Sequence, residues 1–125
     1  MPQDLGVPRT DCRMVLLFIP GHAGSHEQVR SIGAETLRAA AAKHVSVHVF
    51  TVSLGEDLSA FDGAVLREHS ARVEAALISI SRQYRQQPAP PDLFLVAHSM
   101  GGVATLDALL RMRRTRRAEA PASLL

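Results

Sequence analysis

Tryptophan is absent from this chain, aromatic residues make up only 4% of it, and 125 residues include a single cysteine. One thiol, Cys12, cannot form an internal disulfide, which removes stapled secreted scaffolds from consideration. Beside Arg13 it reads as a strand-edge thiol without a role. No apolar run approaches the roughly 18 residues needed to cross a bilayer, and residues 1–10 lack the apolar core of a signal peptide. No grouping of His, Cys, Asp and Glu has metal-ligand spacing, so no metal is expected. The phosphate-loop and dinucleotide patterns G-x-x-x-x-G-K-[ST] and G-x-G-x-x-G are missing as well, and no cofactor is expected. A helix N-terminus can still hold a phosphorylated substrate unaided.

What is present suits one globular domain, residues 1–125, with its ordered core over about residues 13–113. The hydrophobic content is 46%, and a domain of this length buries roughly two thirds of its unfolded surface. The net charge of +2 is unevenly spread. Arg111, Arg113, Arg114, Arg116 and Arg117 crowd the end of the chain, and setting them aside leaves nine basic residues against twelve acidic. Such a run can attract nucleic acid or anionic lipid. It has no interleaved aromatics to stack bases, so it is expected as a solvated helix end and no nucleic-acid partner is expected.

Apolar patterning sets out the elements. Met14 to Ile19 is a continuous apolar run stopped by Pro20-Gly21, the mark of a strand buried on both faces. Ser25 and Gln28 form a capping box for a first helix, whose narrow stripe is Val29, Ile32, Gly33, Thr36, Leu37, Ala40 and Ala41. Residues 45–52 are rich in β-branched side chains and predict a second strand, and 53–63 a polar loop. A second helix carries Leu66, Ser70, Val73, Leu77, Ile80 and Tyr84 at alternating spacings of four and three. The prolines of 86–91 mark a connector. Residues 93–97 predict a third strand, followed by a third helix from about Val103 and a disordered tail over 118–125.

The β-α-β-α-β-α order implies an α/β fold, a parallel sheet covered by helices on both faces. With the second strand on one side of the first and the third on the other, the chain reverses beside the first strand. Ligands in open α/β sheets bind at such a point, beyond the carboxyl ends of the strands. Pro20–Ser25 and His98–Gly102 would meet there.

Ala97-His98-Ser99-Met100-Gly101 occupies the second of those places, between a strand and a helix. That is the context of a G-x-S-x-G nucleophile elbow, with Ser99 as the candidate catalytic residue. Small residues are required two before and two after the serine, where the turn crowds strand against helix. Ala97 and Gly101 fill those positions and Gly102 is expected to add clearance. The turn would strain Ser99 at a cost of roughly 1–3 kcal/mol. Acyl transfer also needs donors for the oxyanion. The Met100 N–H is the first, and the N–H of His22, or failing that Ala23, is the second.

A general base is harder to find. In hydrolases of this fold the order is Ser, then Asp or Glu, then His. No histidine follows Ser99, and the only later acids are Asp107 and Glu119. His98 should point away from the serine. His22 and His26 lie in or just after the oxyanion loop, where solvation or capping is the commoner role. His44, His48 and His69 are expected at surface or strand positions.

Three segments carry a family resemblance. Val15-Leu16-Leu17-Phe18-Ile19-Pro20-Gly21-His22-Ala23-Gly24-Ser25, continued by Gln28-Val29-Arg30-Ser31, resembles the oxyanion segment of the GPI inositol-deacylases. Glu56-Asp57-Leu58-Ser59-Ala60-Phe61-Asp62-Gly63 resembles their loop after the next strand, and Ala97-His98-Ser99-Met100-Gly101-Gly102 their elbow. The elbow is shared with many lipases and esterases; the first two segments are more specific. The resemblance implies an α/β-hydrolase fold and an acyl-enzyme at Ser99 that removes the fatty-acyl ester from the inositol of GPI anchors. It implies GPI-anchored proteins or acylated inositol lipid as substrate. It also implies a location in the endoplasmic reticulum membrane, held by segments absent from this chain, and action before protein export. Ala97 replaces the family's usual first glycine, and His22 stands where Asn is more frequent. The chain is therefore expected to be the N-terminal part of an incomplete α/β-hydrolase domain, ending before the acid, the histidine and every span, and a poor enzyme alone. Two alternatives remain open at this level: a soluble lipase, esterase or thioesterase of the same fold, and a non-catalytic α/β module that binds lipid or a partner.

Overall fold

In a computed structural model the described residues are 12–21, 26–54 and 63–119. They form six elements: β1 (Met14–Ile19), α1 (His26–Ala42), β2 (Val47–Thr51), α2 (Gly63–Gln83), β3 (Asp92–Ala97) and α3 (Met100–Glu119). The three strands form one parallel sheet in the order β2-β1-β3. β1 is central, as its unbroken apolar run requires, and Val15 to Ile19 are all buried.

The register divides the side chains between two faces. Leu17 of β1 stands beside Phe50 of β2 and Leu95 of β3. Together with Val15 and Ile19 they meet Val73, Leu77 and Ile80 of α2, Tyr84 just beyond it, and Ala104 and Ala108 of α3 in the main core. Leu16 stands beside Val49, and α1 lies on that opposite face, with Gly33 at van der Waals distance from the Val49 methyl. Helices thus cover both faces, and the architecture is an incomplete α/β-hydrolase-type fold.

Coverage is uneven. Phe94 and Val96 of β3, paired with Leu16 and Phe18, remain partly exposed, as does Leu37 of α1. β2 is shorter than its apolar run suggested. The Val45 N–H is drawn into the helix end, bonding Ala40 O at 2.9 Å while His44 takes a left-handed φ of 55°. Such a closure satisfies the orphan carbonyls of a helix terminus. α3 extends to Glu119, two residues into the segment expected as a tail, and the remainder of that segment lies outside the described residues. Among the described residues no helix is long and apolar enough to cross a membrane.

Candidate active site

The chain leaves β3 at Ala97, paired with Ile19 in the last register position, and enters α3 at Met100. Only His98 and Ser99 lie between. His98 N–H donates to Ile19 O at 3.0 Å, fastening the turn to the end of the central strand. Ser99 takes φ 55°, the left-handed region that a side-chain-bearing residue rarely adopts. It is exposed, at the carboxyl end of the sheet, in which β2 and β3 flank β1 on opposite sides. A strained, exposed serine between a strand and a helix is the arrangement expected of a nucleophile elbow.

Two glycines make the turn possible. A Cβ on Gly101 would lie 2.5 Å from Pro20 O and 2.6 Å from Ile19 O, so α3 starts in backbone contact with the end of β1. A Cβ on Gly21 would lie 2.6 Å from His98 O and 2.8 Å from Ser99 Cβ. Gly21, which with Pro20 ends the apolar run of β1, thus leaves room for the Ser99 turn. At Gly102 a Cβ meets nothing within 4 Å among the described residues, so the clearance is required at Gly101. Thr105, buried one turn on, donates its hydroxyl to Gly101 O at 2.7 Å and steadies the helix start.

One backbone donor beside Ser99 is left without a partner among the described residues. The N–H groups of Gly101 and Gly102 are occupied by His98 O and Ser99 O, each at 3.0 Å. The Met100 N–H has no partner among the described residues and stands at a helix N-terminus, where partial positive charge accumulates. The second candidate donor, His22 or Ala23, lies outside the described residues, as do the capping serine Ser25 and segment 56–62.

No described histidine hydrogen-bonds Ser99. The His98 ring rests beside Gly21, with Nδ1 3.3 Å from where its Cβ would be. His48 Nδ1 pairs with the Tyr84 hydroxyl. His44 closes α1. His69, expected at the surface or on a strand, is half-buried on α2, with Nε2 sealed and without a partner among the described residues. Asp107 is also committed elsewhere: Ser70 Oγ donates to its Oδ2 at 2.6 Å and Arg111 Nε at 2.9 Å. The Ser70 hydroxyl first, and Arg111 second, hold its carboxyl below the usual aspartate range. Because Ser70 is fully buried on α2, this contact ties α2 to the helix that carries the elbow.

At the opposite end of the sheet, Cys12 is buried and donates its thiol to Met14 O. Gln87 brackets the Cys12 backbone, accepting from its N–H at 2.9 Å and donating to its carbonyl at 2.6 Å. Burial first, then the neighbouring Cys12 thiol, pushes the Tyr84 hydroxyl up to about 12. This cluster braces the strand starts and lies away from Ser99. Among the described residues no group of acids, histidines and cysteines could hold a metal.

Comparison with known proteins places these features in context. The family described as "PGAP1-like alpha/beta domain" matches residues 12–117. The chain is 38% identical over 101 residues to a GPI inositol-deacylase of Rattus norvegicus, covering 78% of this chain and 11% of that protein. With the Drosophila melanogaster GPI inositol-deacylase it shares 34% identity over 97 residues, 76% of this chain and 10% of that protein. With the protein so named in Cryptococcus neoformans it shares 36% over 107 residues, 75% and 14% of the two chains. The chain thus spans about a tenth of the length of the curated relatives it matches. No solved structure matches it.

Proposed function

The chain belongs to the PGAP1-like alpha/beta domain family, and from that membership we propose that it carries the nucleophile of a carboxylic ester hydrolase acting on the inositol acyl chain of GPI anchors. The observation that supports this most is Ser99 at φ 55° between β3 and α3, with the Met100 N–H next to it lacking a partner among the described residues. The relatives' shared name supplies the substrate class.

In the proposed mechanism Ser99 Oγ attacks the acyl carbonyl carbon. Negative charge develops on the carbonyl oxygen and is met by the Met100 N–H and a second donor, His22 or Ala23, from the loop after β1. Losing one such donor typically costs about 100- to 1,000-fold in rate. The inositol hydroxyl leaves, taking a proton, and water then releases the fatty acid from Ser99. Proton transfer to and from Ser99 is assigned to a group outside the described residues. Ala97 and Gly101 accommodate the turn and take no part in the chemistry, and Gly102 supplies no clearance among the described residues. The substrate is a GPI-anchored protein or the acylated inositol lipid, and the site of action is the endoplasmic reticulum membrane.

The test compares an inositol-acylated GPI lipid with a short-chain free ester as substrates of a full-length form. Release of fatty acid from the inositol lipid alone, abolished in Ser99→Ala, is the expected result. Preference for the free ester would instead assign a general esterase.

A further inference from the structure

α3 is built inside out. Its small residues Ala104, Thr105 and Ala108 face the sheet and α2, while Val103, Leu106, Leu109 and Leu110 point outward. Leu106 is 65% exposed and Leu110 52%. Val103, Leu106, Leu110, Arg113 and Arg117 follow one another at alternating steps of three and four, so they form a single stripe along the helix. Three apolar positions therefore run directly into the arginine cluster. Arg113, Arg114, Arg116 and Arg117 are all exposed, and none has an ion-pair partner among the described residues. Asp107, the single acid between Met100 and Arg117, is drawn off the stripe by Ser70 and Arg111.

We propose that this outer face of α3 docks on an anionic lipid bilayer. The pattern matches what such a surface recognises: leucines that enter the boundary below the headgroups, and arginines whose long stems let the charge stay among the phosphates. Charge complementarity favours this occupant over another apolar protein face, which would leave four arginines facing unlike chemistry. A nucleic acid would find no aromatic to stack on and would bury leucines against phosphate.

The placement has a consequence for Ser99, and this part rests on the proposed hydrolase. α3 begins at the residue after Ser99, and at about 1.5 Å per residue Val103 stands roughly 6 Å along from the serine. A helix lying on the bilayer would hold the elbow at headgroup level, where the ester of an acylated inositol lipid is found. The docking itself does not require Ser99 to be catalytic.

The experiment is co-sedimentation of the full 125-residue chain with vesicles of phosphatidylcholine alone or carrying roughly one-third phosphatidylserine. Binding to the anionic vesicles at least about tenfold tighter than to neutral ones, and weakening with added salt, is expected. Arg113→Glu/Arg117→Glu and, separately, Leu106→Gln/Leu110→Gln should each weaken it roughly 25-fold. All four positions are exposed, so helical circular dichroism should be unchanged. Equal binding to both vesicle types, or indifference to either double variant, overturns the proposal. A dimer in light scattering that Leu106→Gln/Leu110→Gln dissolves would assign the face to a second copy and overturn it too. Vesicle binding by this chain, with no acyl hydrolysis and no Ser99 labelling in a full-length form, would remove the hydrolase alone, and Ser99 labelling without vesicle binding would remove the docking alone.

Discussion

Gly21 lies against Ser99 so closely that a Cβ on the glycine would stand 2.8 Å from the serine Cβ. The end of the central strand and the elbow are therefore one packed unit, and the strained serine is held from beneath. Gly21→Ala should force the elbow to move, because its nearest obstacle is the His98 carbonyl oxygen at 2.6 Å, a backbone atom that cannot swing aside. Displacing a reacting group by about 1 Å can cost roughly 100-fold. The rate of fluorophosphonate reaction at Ser99 should fall by at least about tenfold. An unchanged rate would mean the contact does not position the serine.

Gly101 and Gly102 are adjacent in sequence and opposite in expectation. Alanine at Gly101 would press on Pro20 O and Ile19 O at 2.5 and 2.6 Å, and overpacking of this kind typically costs about 1–3 kcal/mol. Alanine at Gly102 meets open space among the described residues, and in a helix it should stabilise by about 0.4–1 kcal/mol through the unfolded chain. Denaturant unfolding of the two variants checks the pair. Equal destabilisation would show that Gly102 is also needed for clearance.

Asp107 supplies a pH dependence whose sign is fixed. Ser70 and Arg111 hold its folded carboxyl below the ordinary value of 3.8, so the unfolded chain takes up this proton more readily. The contact contributes stability above 3.8 and loses it as pH falls through the folded value. Unfolding midpoints followed downward from about pH 5 should fall more steeply in the parent chain than in Asp107→Asn. Parallel profiles would show that the α2–α3 tie has no energetic role.

Tyr84 gives the complementary case at high pH. It is the chain's one tyrosine, and with no tryptophan present the near-ultraviolet absorbance of its phenolate reports this group alone. Burial, followed by the Cys12 thiol, raises it from 10.0 to about 12. Its contribution to stability is complete below the unfolded value and is lost as pH rises through the folded one. A titration midpoint near 12 that drops toward 10 on unfolding is expected. A midpoint near 10 in the folded chain would contradict the burial of the hydroxyl.

The sequence carried the features set by local rules. The β1 run ending at Pro20-Gly21, the sharp turn at Ser99 between β3 and α3, and the strand order that brings the two together all follow from apolar patterning and parallel-sheet topology. The α2 stripe from Leu66 to Tyr84 packs as its spacing required. Features that depend on distant partners were not legible. Gln87 brackets a backbone 75 residues away, and Ser70 finds Asp107 across 37 residues. Nothing local marks either pair. Residues 93–97 form the strand their apolar run predicted, yet Phe94 and Val96 stay partly exposed at the edge of the described sheet. The arginine run lacks an apolar period, so nothing local marks the continuation of α3 to Glu119, two residues into the expected tail.

The account turns on whether Ser99 is a nucleophile, and the most direct measurement is reaction of a full-length form with a fluorophosphonate probe, followed by peptide mapping. A single adduct on Ser99, lost in Ser99→Ala with the fold intact, is the predicted result. Equal labelling of the alanine variant, or an adduct on any other serine, would contradict the assignment and leave the elbow without its chemistry.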